Sequence, residues 1–241
     1  MTQFNSQMTS NPGNTISFKT YLERVFAITA LGVGISAIVA FITSMNISNI
    51  LMSLGNKASI AVLLLVFAEL GVALYFSFGL RKMSKTTAWV CFVIYSVLTG
   101  LSLSIFLITY SIGSIVFAFI ATTVLFVSMS VIGHTTRLDL TKYGTIFLGG
   151  LVAIIITGAL NFFFFKSSTI NYIMTVVGVL LFLVIIAYDV QKLQRYYAEG
   201  SYDQEFGEKM MIMGAFQLYL DFINLFIRIL ELFGNRKSSK R

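Results

Sequence analysis

The sequence predicts an all-α, polytopic membrane protein with seven transmembrane helices. Three features of its 241 residues lead there. Hydrophobic residues make up 57%, charged residues only 11%, and the apolar positions gather into seven long runs. A soluble domain carries about 25% charged residues. A hydrocarbon core of ~30 Å takes roughly 20 apolar residues to cross as a helix. Helices are required because unpaired backbone N–H and C=O groups are intolerable in lipid.

Residues 1–20 are rich in Ser, Thr and Asn and hold the only proline, Pro12. They lack the charged start, apolar core and cleavage site of a signal peptide, and read as a flexible polar tail. The seven-helix domain follows over 21–233, with apolar runs at 25–46, 58–80, 88–109, 112–133, 144–165, 170–189 and 209–233. In the first run Thr29, Gly32 and Ser36 line one side, and in the third Ser96, Gly100 and Ser104 repeat at helical spacing. Small residues at that spacing let helices pack closely. The second run carries Glu69 and is followed at once by Arg81. The third and fourth runs are nearly continuous, so Tyr110–Ser114 must turn tightly. The segment 133–144 before the fifth run is a loop, with His134 in it. Asn171 and Thr175 precede Asp189 on nearly one face of the sixth run, which Asp189 closes. The mixed charges of 189–209 then read as a solvated loop. Residues 234–241 form a basic C-terminal tail.

With seven crossings, ten basic residues (Lys19, Arg24, Arg81, Lys82, Lys85, Arg137, Lys142, Lys192, Arg195 and Lys209) share one side. The other side holds Lys57, Lys166 and the four basic residues of the C-terminal tail. The positive-inside rule puts the N-terminus in the cytoplasm. The net charge of +7 is therefore a topology signal, and no nucleic-acid partner is expected. A re-entrant last segment would bring the C-terminal tail inside instead. A single cysteine, Cys91, and a single histidine argue against a zinc or iron–sulfur site.

A carboxylate at mid-bilayer costs roughly 2.5–3.5 kcal/mol on insertion scales, so the internal acids stand out. In the seventh run Gln217, Asp221, Asn224, Arg228 and Glu231 are spaced 4, 3, 4 and 3. At 100° per residue they fall in a sector of roughly 80°, a stripe that must face protein or water inside the bundle. Gln217, Asn224, Arg228 and Glu69 are candidates to line a path. A hydrogen-bonded packing network is the plainer alternative. Asp189 has its own, an acid solvated at the membrane interface beside Lys192 and Arg195. Drawn from the runs, Asp189 and Asp221 differ in depth by about 10 Å or more. They meet only if the seventh helix starts deeper or the sixth runs past the membrane boundary. If they meet, the two carboxyls share a proton and form a switch near neutral pH. Ionised, they attract a hard divalent cation. Arg81 could compete for them, or simply anchor the second helix at the cytoplasmic side.

The chain resembles the Bax inhibitor-1 family, the transmembrane Bax-inhibitor-motif proteins, in its bacterial branch. The resemblance runs from about residue 20 to 234. It rests on YSVLTGLSLS (95–104), GxTTxxDLTxxG (133–144) with FLGGLVAIIITGALNFF (147–163), AYDVQ (187–191) and LYLDFINLF (218–226). It implies a bundle in which the seventh helix is central and a calcium leak regulated by pH through an aspartate pair, here Asp189 and Asp221. The same two acids would bind calcium transiently, as the permeant ion, with no tightly bound cofactor. The family's helix-two arginine corresponds to Arg81, a gating latch. The chain departs from the family in a long connection at 196–209.

The function expected is thus a non-enzymatic, pH-regulated calcium leak in a bacterial inner membrane, or alternatively in the endoplasmic reticulum. Its partners are membrane lipid, calcium and protons. The alternative function is a membrane interaction protein that modulates a quality-control protease or a cell-survival pathway without conducting ions. An intramembrane aspartyl protease of the presenilin type is disfavoured. Asp221 follows Gln-Leu-Tyr-Leu rather than Gly-x-Gly, and no proline is placed for a Pro-Ala-Leu motif.

Overall fold

The computed structural model describes residues 16–80, 82–200 and 203–237. Seven long helices occupy them: α1 (Phe18–Leu54), α2 (Ala58–Gly79), α3 (Lys85–Thr109), α4 (Ile112–Thr135), α5 (Gly144–Leu160), α6 (Ser168–Gly200) and α7 (Gln204–Phe233). Each predicted run lies on one of them, and all seven are long and apolar enough to cross a membrane. Five start on side chains that accept an amide N–H of the first turn: Ser17, Ser84, Ser111, Ser167 and Asp203. These caps satisfy donors that the helix ladder leaves unpaired. The α1–α2 turn is made by Gly55 at φ +47°, a left-handed conformation that glycine adopts without a Cβ clash.

Several boundaries differ from expectation. Residues 189–200 and 204–209 are helical, so most of the supposed loop is helix. Hydropathy ends at Asp189, but burial does not: Leu193, Tyr196 and Tyr197 are buried and carry α6 on for three more turns. His134 belongs to the last turn of α4. Helix α1 begins at Phe18, inside the predicted polar tail. The fifth run ends in a wide π-type turn, Asn161–Phe165, closed by Lys166 at φ 49°.

The chain divides into two compact units. The first holds the residues up to Ser102 and Leu193–Gln217. Its core is aromatic: Phe216 meets Phe76 at 4.6 Å, Tyr95 at 5.0 Å and Phe92 at 6.5 Å between ring centres. Its small-residue stripes pack as expected. Ser36 Oγ donates to Ser96 O at 2.7 Å, and a Cβ on Gly100 would lie 2.7 Å from Val39 Cβ. Buried Lys209 donates to the Met83 carbonyl, and Lys85 pairs with Glu208.

The second unit holds Leu103–Lys192 and the chain from Leu218. Phe222 packs between Phe119 and Phe126, at 5.7 and 5.5 Å. Gly133 lets α4 touch the α6 backbone, since a Cβ there would lie 2.7 Å from Ala187 Cα. The basic tail begins by docking. Tyr110 and Arg236 pair as an antiparallel bridge, Ser111 N donates to Asn235 O, and Lys237 N donates to Thr109 O.

Large apolar side chains cover the outside of the helices, including Phe78 at 84% exposure and Met52 at 81%. Water does not tolerate such continuous apolar surface, but lipid does. The molecule is an integral membrane protein.

Candidate functional site

Asp189 lies on α6 and Asp221 on α7, eleven residues before the end of one helix and seventeen after the start of the other. The extended α6 and the earlier start of α7 narrow the offset drawn from the apolar runs to six residues, about 9 Å of helix rise. The two carboxyls are neighbours that act on one another electrostatically. The residues are 8% and 5% exposed, among Ile186, Ala187, Val190, Leu218, Phe222 and Leu225. Asp221 Oδ2 is buried with no hydrogen-bond partner. Lys192 Nζ lies 3.7 Å from Asp189 Oδ1 and 5.6 Å from the centre of the Tyr188 ring.

The stretch of α6 around Asp189 is held from the α4–α5 side. Gln191 Oε1 accepts from Leu140 N at 2.9 Å, and its Nε2 donates to Leu138 O at 2.7 Å. Gly144 leaves room for the Tyr188 hydroxyl, 2.6 Å from where a Cβ would sit, and Phe147 meets the Tyr188 ring at 5.3 Å. In the same segment Asp139 accepts from the Thr141 hydroxyl and N–H. The Thr141 hydroxyl above all, helped by Lys142 at 3.5 Å and the Thr141 N–H, holds its carboxyl below the usual carboxylate range against the opposing effect of desolvation.

The other candidates do not all converge on the pair. Arg81 lies outside the described residues. Glu69 and Gln217 belong to the first unit. Glu69 is half-buried and accepts from Ser102 Oγ at 2.5 Å, while Gln217 accepts from the Tyr196 hydroxyl at 3.1 Å. Asn224 corrects the inward-facing stripe: it is exposed, and its amide turns back to the Leu220 carbonyl of its own helix at 2.8 Å. Arg228 pairs with Glu231 at 3.2 Å, and Glu231 also accepts from Thr175 at 3.4 Å. No group of three or more His, Cys, Asp or Glu side chains converges among the described residues. Sequence reasoning treated Lys192 as an interfacial charge and gave Gln191 no role. Their spacing of two and three residues from Asp189 was the available signal.

Seven long apolar helices and a buried carboxyl pair within them define a polytopic membrane protein with an intramembrane acidic site. The family model described as "Inhibitor of apoptosis-promoting Bax1" matches residues 18–238, and the chain belongs to this Bax inhibitor-1 family. A Borreliella burgdorferi protein is 38% identical over 218 residues, 90% of this chain and 93% of its own. A Rickettsia prowazekii protein is 41% identical over 175 residues, 72% of this chain and 73% of its own. The inner membrane protein YbhL of Escherichia coli K12 is 33% identical over 220 residues, 91% and 93% of the two chains.

Proposed function

We propose that the chain is a pH-regulated calcium leak whose path is gated by protonation of the Asp189–Asp221 pair. The observation that carries this reading is the juxtaposition of two buried carboxyls inside membrane-spanning helices. A structural pair needs no titrating group, and ionised acids are costly in lipid. With one proton shared, the pair carries a single negative charge. With the proton lost, two adjacent carboxylates offer the hard oxygen donors that calcium prefers. Two carboxylates are too few to cage the ion, which suits passage rather than storage. We take α7 as the central helix of the path, because 78% of its most apolar window is buried against 39% or less in the other six.

The setting proposed is a bacterial inner membrane with the N-terminus in the cytoplasm. The name of the Escherichia coli relative and the bias of basic residues support it. No enzymatic chemistry is proposed. The test is calcium flux through purified protein in liposomes over a pH series. Wild type should pass calcium with a titrating pH dependence. Asp189→Asn and Asp221→Asn should each flatten that dependence; flux identical to wild type at every pH would sink the gating role.

A further inference from the structure

We propose, building on the calcium reading of this pair, that Lys192 is its built-in counter-cation and sets how readily a divalent ion occupies it. Lys192 follows Asp189 by one turn of α6. Its ammonium stands 3.7 Å from the Asp189 carboxyl, and the two side chains are only 23% and 11% exposed. An exposed pair of this spacing is worth little. Enclosure removes the water that would screen it, so the same charges act more strongly. The charge of Lys192 also reaches Asp221.

The ammonium has a fixed place. It lies over the Tyr188 ring, and that ring is seated against Gly144 and Phe147. At 3.7 Å the contact is longer than the ~2.7–2.9 Å of a tight charged hydrogen bond. Lys192 therefore neutralises the acids without locking onto them. A calcium ion bonds carboxylate oxygens at roughly 2.3–2.6 Å, and to reach them it must work against a neighbouring positive charge. Among the described residues, the ion pair on Asp189 is made by Lys192. The α4–α5 segment packs on α6 through Gly133, the Leu138 and Leu140 main chain, and Gly144. Its Asp139 and Lys142 pair with one another, and His134 and Arg137 also belong to that segment.

The experiment is calcium binding by titration calorimetry to the purified full chain in detergent near pH 8. The variants are Lys192→Met and Lys192→Arg, each also in an Asp189→Asn background. Losing the charge should tighten calcium binding about threefold to tenfold, a fraction of the bare Coulomb interaction. Lys192→Arg should stay within about twofold of wild type. In the Asp189→Asn background the gain should vanish. Lys192→Gln replaces Met if that variant does not fold.

Unchanged binding in a folded charge-free variant, a gain that persists without Asp189, or no calcium binding in any variant would overturn the proposal. If wild type passes no calcium but charge removal tightens binding through Asp189, the leak reading falls and the counter-cation stands. If flux titrates with the pair but calcium binding ignores Lys192, the leak stands and the counter-cation falls.

Discussion

Gln191 binds two main-chain groups of the α4–α5 segment at once, accepting from one and donating to the other. A side chain with only one of those functions leaves a peptide group without its partner. The neighbouring Asp139 stabilises the turn Leu140–Tyr143 in a pH-dependent way. Because its carboxyl is held below the usual range, its contribution is complete above the unfolded value of ~3.9. It is lost as pH falls through the lower, folded value. Amide shifts of residues 140–143 should therefore stay constant from neutral pH down to about 4 and move below it, while Asp139→Asn should show no such step. At this scale the sequence revealed Asp221 through its stripe, because helical phase needs no tertiary information. The pairing with Asp189 depended on how far α6 and α7 extend, which the apolar runs misjudged. Asn224 shared the stripe's phase yet is exposed, since phase fixes direction around a helix and not what lies opposite.

The helices were legible as runs because lipid demands length and apolarity of each one. Their ends were not, because α6 leaves the apolar regime at Asp189 and continues on Leu193, Tyr196 and Tyr197, whose burial is tertiary. The same holds for the contact of α4 with α6. GxTT reads as a loop motif until Gly133 is seen against Ala187. A valine at 133 has no space there, and overpacking of this kind costs about 1–3 kcal/mol. Thermal unfolding of Gly133→Val in detergent should show a clear loss of stability. Gly149→Ala is the control, because no atom lies within 4 Å of its added Cβ. Equal melting of the two variants would mean that the α4–α6 contact does not bear on stability.

At the scale of the whole molecule, the apolar exterior and seven spans require an odd number of crossings, so the two ends should lie on opposite sides of the membrane. A cytoplasm-active reporter fused before residue 16 and a periplasm-active reporter fused at the end of the chain should both give signal. Signal from a cytoplasmic reporter at both ends would indicate a re-entrant last segment. The pairing of Asn235–Lys237 with the turn between α3 and α4 bears directly on the design of such fusions. The tail stitches the end of α7 to a neighbouring corner. A tag or fluorescent protein joined by trimming these residues would unstitch the helix that carries Asp221. Linkers should therefore begin beyond Lys237, and a shortened chain with altered flux should first be suspected of having a loosened helix.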